Sequence, residues 1–130
     1  MDEKFLSGKR VLVVEDEMLV LMAIEDMLTE LGCTSISVAG NLDKALALIA
    51  EEPFDLATLD VNLNGQISYP AAHALSDAGV PFAFSTGYSE QAILEEYGRH
   101  LVLNKPYSIS QLTKVLTALL DGSQPPALAA

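Results

Sequence analysis

The sequence predicts an α/β fold, a doubly wound five-stranded parallel sheet built from five strand–helix pairs, (βα)5. Three observations carry that expectation. Short apolar runs recur along the chain, of the kind that suits strands buried on both faces. Segments with apolar residues at helical spacing lie between them. The alternation is strict, which argues for parallel strands joined by helices on both faces. Among doubly wound orders, 2-1-3-4-5 is the usual one for five strands.

"RVLVV" (10–14) reads as the first strand. Residues 17–31 place Leu21, Ile24, Leu28 and Leu31 on one helical face, with Gly32 as the stop. "TSISVA" (34–39) is the second strand, and Asn41 caps a helix carrying Leu42, Ala45, Leu48 and Ile49. "FDLATLD" (54–60) is the third strand. Pro70 suits the first turn of a third helix, which Gly79 closes. "VPFAF" (80–84) is the fourth strand. A fourth helix is expected over 89–97, with a thin apolar face of Ala92, Ile93 and Tyr97. "HLVLN" (100–104) is the fifth strand. Ser108 with Gln111 forms a capping box for a last helix bearing Ile109, Leu112, Val115, Leu116 and Leu119.

The expected organisation is an N-terminal segment (1–8), one domain (9–121) and a short flexible tail (122–130) with no second domain after it. Half of the 130 residues are hydrophobic, enough for a single domain with its own core. No apolar run reaches the roughly 18–20 residues that span a bilayer. "MDEKFLSGKR" lacks the apolar region of a signal peptide, and the lone Cys33 cannot form an intramolecular disulfide. A cytoplasmic protein with no membrane contact is expected. Net charge is −11, from 18 acidic and 7 basic residues. With no basic stripe to neutralise phosphates, no nucleic-acid binding is expected. The acidic excess either serves solubility or gathers carboxylates around a cation.

The ends of the runs favour the cation. In open parallel sheets, ligands bind beyond the carboxyl ends of the strands, near the point where strand order reverses. For order 2-1-3-4-5 that crevice lies between strands 1 and 3. Strand 1 ends in Glu15, Asp16 and Glu17, and strand 3 in Asp60. Strand 4 ends in Ser85 and Thr86, and strand 5 in Asn104, Lys105 and Pro106. Two carboxylates a few ångströms apart repel by roughly 3–4 kcal/mol at an effective dielectric of 20. A hard cation with oxygen ligands removes the conflict. Mg²⁺ suits it, with Mn²⁺ as a substitute, and the backbone carbonyl of Asn62 is a further ligand. Asp60 then becomes a nucleophile toward phosphorus. Lys105 would pair with one phosphoryl oxygen and the Thr86 hydroxyl would donate to another. Taken singly, each residue has a plainer reading: a solvated loop carboxylate, the start of a helix, a surface lysine, a turn hydroxyl.

With those pieces in order, "VLVVEDE", "LATLDVNLNG", "STG" and "NKPY", the chain resembles the receiver domain of a two-component response regulator. The resemblance runs from about Lys9 to Leu120 and implies the flavodoxin-like receiver fold. It implies a phosphoprotein in phosphorelay signal transduction, not an enzyme with an external substrate. Asp60 would be the phosphoacceptor, carrying an aspartyl phosphate, with Glu15 and Asp16 as the acidic metal pair. Thr86 would be the switch hydroxyl, Lys105 the phosphoryl-binding lysine, and the Lys105–Pro106 bond cis. Two departures stand out. Val102 occupies the place of the usual switch aromatic, and Leu63-Asn64 replaces the usual Met-Pro. "PFAFSTGY" and the loop "NLNGQISYPAAHAL" resemble an alphaproteobacterial receiver subclass marked by Phe-Ala-Thr-Gly-hydrophobic-Tyr. Members of that subclass are often single-domain receivers paired with histidine kinases of the HWE or a related type. The implied partner is such a kinase or a phosphotransferase, and the implied state a monomer or weak dimer. Tyr88, two residues past Thr86, is the candidate to replace the missing aromatic.

Other classes remain open at this stage. A receiver-like binding module that works without phosphorylation would keep the fold and not the chemistry. An FMN protein would need a hydroxyl- and glycine-rich loop after strand 1, where this chain has Glu15-Asp16-Glu17. A phosphatase of the haloacid dehalogenase type would place its nucleophile after strand 1 rather than strand 3.

Overall fold

The valine-rich run opens the sheet as β1 (Arg10–Val14), whose last four residues are buried. The computed structural model describes residues 6–86, 102–105 and 107–121. Next come α1 (Met18–Glu30), β2 (Ser35–Ala39), α2 (Leu42–Glu51) and β3 (Leu56–Asp60). A two-stranded ribbon follows, β4 (Asn62–Leu63) with β5 (Gln66–Ile67), and then α3 (Tyr69–Asp77). β6 (Phe82–Thr86), β7 (Val102–Asn104) and α4 (Ile109–Leu120) complete the described elements. The main sheet is parallel in the order β2-β1-β3-β6-β7, with β6 and β7 as its fourth and fifth strands. The order reverses between β1 and β3, so a crevice opens at their carboxyl ends.

Local chemistry fixes the helices where the sequence placed them. The Asn41 side chain accepts from the Lys44 amide at 2.8 Å and starts α2. Ser108 and Gln111 exchange both bonds of a capping box at the start of α4. Gly79 follows α3 at φ 75°, a left-handed position that suits glycine. Alternation along the strands then builds a core on each face of the sheet. Leu12, Val14, Leu59, Phe82 and Phe84 pack with α2 and α3, and the two phenylalanine rings meet edge to face at 5.5 Å. Val11, Val13, Leu56, Ala83 and Leu103 pack with Ile24 and Leu28 of α1 and with Leu112 and Leu116 of α4.

Three boundaries and one element differ from expectation. β2 and β3 begin one and two residues later than the apolar runs. β6 is shifted from 80–84 to Phe82–Thr86. Pro81 has no N–H for the ladder, while Ser85 and Thr86 extend it by pairing with Asp60 and Asn104. The β4–β5 ribbon was not expected. Its turn is Asn64-Gly65, at φ 52° and 91°, the left-handed pair that a two-residue hairpin requires. The helix expected over 89–97, the start of the fifth strand at 100–101, Tyr88, Pro106, most of the N-terminal segment and the tail lie outside the described residues. Among the described residues, no helix is long and apolar enough to cross a membrane.

Candidate functional site

Strand alternation brings the site together before any side chain is considered. Glu15, Asp60, Ser85 and Lys105 each stand at an even spacing from Val13, Leu56, Ala83 and Leu103, which face α1 and α4. Register sets Asp60 beside Ser85, and Glu15 follows Val14, which lies beside Leu59. These polar groups therefore form a row across the carboxyl edge of the sheet, directly above an apolar layer.

The row is buried and acidic. Glu15 is 1 % and Asp60 3 % exposed, and Asp16 is half-buried. One carboxylate oxygen from each of the three lies within 4.8 Å of those from the others. Lys105 reaches across to meet them. Its ammonium donates to Asp60 Oδ2 at 3.2 Å and to Glu15 Oε2 at 3.5 Å, and lies 3.2 Å from Glu15 Oε1. Burial works against the Lys105 ammonium, but Asp60 and Glu15 outweigh it and hold its pKa above the usual lysine value. Backbone amides supply the remaining donors. Glu17 N–H donates to Glu15 Oε2 at 3.1 Å, and Asn64 N–H to Asp16 Oδ2 at 2.8 Å. Asn62 N–H approaches Asp60 Oδ1 at 3.4 Å, which brings Asn62 beside Asp60.

Three carboxylates facing one ammonium leave an excess of negative charge in a protected place. Glu15 Oε1 is buried and accepts no hydrogen bond. Three hard oxygen donors at this spacing fit a divalent cation of the Mg²⁺ kind. Thr86 ends β6 fully buried, and its carbonyl accepts from the Lys105 amide at 2.8 Å. Val102 lies beside Phe84 in the β6–β7 register.

Residues 11–117 match the family model of the response regulator receiver domain. The chain belongs to that family. It is 38 % identical in sequence to SdrG from Sphingomonas melonis Fr1, whose solution structure superposes with a TM-score of 0.78 and covers 86 % of this chain and 96 % of that one. It is 32 % identical over 108 residues to the transcriptional regulatory protein PdtaR of Mycobacterium tuberculosis, covering 80 % of this chain and 53 % of that protein. The receiver thus spans about half the length of the curated relatives it matches first. The receiver domain of the sensor histidine kinase PA1611 from Pseudomonas aeruginosa, solved with magnesium in its active site cleft, shares the fold at 23 % identity. That match has a TM-score of 0.78 and covers 88 % of this chain and 99 % of that one.

Two further features lie beside the acidic row. One is a pair of buried hydroxyls: Ser85 Oγ, from the residue the sequence placed at the end of the fourth strand, and Tyr107 Oη, which the sequence reading missed. Burial pushes the Tyr107 phenol up to about 12, while Ser85 pulls it the other way. The two hydroxyls do not meet the geometry of a formed hydrogen bond. Period-two alternation from Ala83 was the available signal for Ser85. The second is a groove of about 380 Å³ between α1 and residues Lys105 and Tyr107, lined also by Leu19, Val20, Ala23 and Met27 of α1. Beside it Met18, Leu19 and Met22 are 67 %, 82 % and 51 % exposed.

Proposed function

We propose that this receiver takes a phosphoryl group from a histidine kinase or phosphotransferase onto Asp60. The observation that carries the reading is the Lys105–Asp60 contact at 3.2 Å inside a cluster of three carboxylates. Glu15, Asp16, Asp60 and the carbonyl of Asn62 would hold Mg²⁺, which supplies charge neutralisation for the incoming phosphoryl oxygens. In the transfer, an Asp60 oxygen forms a bond to phosphorus as the phosphorus–nitrogen bond of the donor phosphohistidine breaks. The electron pair stays on the imidazole nitrogen, which becomes protonated. Lys105 exchanges its pairing with Asp60 for one with a phosphoryl oxygen, and Thr86 donates its hydroxyl to another. No distinct enzymatic role is needed beyond phosphoryl uptake and its hydrolysis from Asp60.

The exposed apolar stripe of α1 is the natural landing site for the donor. It adjoins Lys105 through the groove, so a helical partner seated there would hold its phosphohistidine near Asp60. We assign the donor to the HWE or related kinases, and the output to protein contact or phosphate drainage. Asp60→Asn should abolish labelling by a phosphorylated kinase and by an acyl phosphate, and EDTA should abolish it in the wild type. Continued labelling of Asp60→Asn would refute the acceptor.

A further inference from the structure

We propose that the β4–β5 hairpin is a positioning element for the cation site, with Asn64 and Gly65 as its positioning residues. The inference rests on the reading that Glu15, Asp16 and Asp60 hold a divalent cation, and it assigns a role to a segment that reading does not use.

The hairpin touches two of the three carboxylates through alternate backbone amides. Asn62 N–H faces Asp60 Oδ1 at 3.4 Å, and Asn64 N–H donates to Asp16 Oδ2 at 2.8 Å. The second bond is available because of the turn. In a two-residue hairpin closed by Leu63 opposite Gln66, the amides of the two turn residues take no part in the ladder. One of them, Gly65 N–H, donates to the Asn62 side chain Oδ1 at 2.8 Å and ties the turn back on its own first strand. The other is free to reach outward, and it reaches Asp16.

Both ends of the device are anchored. Beside the turn, Leu63 is 1 % exposed and belongs to the same core cluster as Val61, Ala71 and Ala72. At the base, the Ser68 amide donates to the Val61 carbonyl at 2.9 Å, closing the loop that the hairpin occupies. At the tip, Asp16 receives the Asn64 amide. Asp16 leaves β1 on a loop and is the least buried of the three carboxylates, so its rotamer is the one most in need of support. A hydrogen bond to one oxygen fixes the carboxylate plane and leaves the other oxygen to ligate. Outer partners of this kind set the orientation of metal ligands and change affinity when removed. The same segment carries the Asn62 carbonyl, so one turn conformation orients two ligands.

The turn conformation depends on residue type. Asn64 sits at φ 52° and Gly65 at φ 91°. Open space surrounds the place a Gly65 Cβ would take, so Gly65→Ala acts through backbone strain and not through a clash. Asn64→Val puts a branched residue where the left-handed region disfavours it, whereas Asn64→Gly keeps both the conformation and the amide.

The test measures Mg²⁺ binding by calorimetry and amide exchange by NMR, on the full chain. Asn64→Val and Gly65→Ala should weaken Mg²⁺ binding roughly tenfold, while Asn64→Gly stays within twofold of the wild type. In the metal-free protein the Asn64 amide should exchange slowly, and Asp16→Ala should accelerate it without changing amides in β1 and β3. Mg²⁺ binding by both strained variants at the wild-type constant overturns the hairpin role, as does an Asn64 amide indifferent to Asp16→Ala. A wild-type chain that binds no Mg²⁺ overturns the cation reading and this proposal with it. If Asn64→Val does not fold, Gly65→Ala and the exchange measurement decide.

Discussion

Tyr107 shows how a single buried hydroxyl ties alkaline stability to the site. Burial raises its pKa to about 12, above the ordinary value of 10.0. Between those two values the unfolded chain releases the phenolic proton and the folded chain keeps it, so stability falls as pH rises from about 10 to about 12. Lys105 acts in the same direction. Its raised pKa contributes stability that is complete below 10.5 and is lost as pH climbs through the folded-state value. The two are separable by substitution. Tyr107→Phe removes a hydroxyl that has no well-formed partner, so at pH 7 stability should change by less than about 1 kcal/mol. At pH 11–12 the variant should be the more stable by about 1 kcal/mol, allowing for the partial exposure of the ring. Urea unfolding at pH 7 and pH 11.5 measures both, and equal alkaline losses in the two proteins would remove Tyr107 from the account. Ser85 was legible in the sequence as the polar end of the fourth strand, and its register beside Asp60 puts it in the acidic row; Tyr107 was not. Tyr107 lies in irregular chain just before α4, and no periodicity says which way such a residue will face.

Among the elements, α1 is set apart by what it leaves outside. Ile24 and Leu28 bury themselves against β1 and α4, while Met18, Leu19 and Met22 stand in solvent beside the groove. A core helix with that pattern has spare apolar surface, which suits a partner better than water. Leu19→Glu should therefore slow phosphoryl transfer from a cognate kinase by at least tenfold through lost docking. Labelling by an acyl phosphate, which needs no docking, should stay within twofold of the wild type. A single-turnover time course with both donors reads the difference, and equal slowing with both would place Leu19 in the chemistry or the fold instead. The elements also show where sequence patterns suffice. β1, α2 and α4 coincide with their expected positions because a valine run, the Asn41 cap and the Ser108–Gln111 box each act within a few residues. The hairpin escaped notice although Asn64-Gly65 is a strong turn signal. Its strands are two residues each, too short for alternation to register. Its purpose lies with Asp16, 48 residues away in the chain, and contacts at that separation are set by topology rather than by local pattern.

At the scale of the whole molecule, charge is the quantity that folding leaves unsettled. The chain carries −11, and its sheet order forces Glu15, Asp16 and Asp60 to one edge with Lys105 as the cation that meets them. The topology that makes the crevice also concentrates the repulsion. Part of the stability of the fold is thereby withheld until a cation arrives. Binding to the folded state alone adds RT ln(1 + [L]/Kd), about 2.7 kcal/mol at one hundred times the dissociation constant. For a domain of this size 1 kcal/mol moves Tm by roughly 4 °C, so saturating Mg²⁺ should raise Tm by about 10 °C. General screening of the −11 charge would also raise Tm, and it is distinguished in two ways. NaCl at matched ionic strength should give only a minor part of the increase, because buried pairs are screened less than exposed ones. Asp16→Ala should remove most of the Mg²⁺-specific part while keeping the NaCl part, since a surface of −10 is screened almost as one of −11. Calorimetric scans of the two proteins in EDTA, MgCl₂ and NaCl give all six values. A Tm that rises equally with MgCl₂ and with NaCl would mean that the acidic edge is solvated by diffuse ions, and that the three carboxylates converge without making a site.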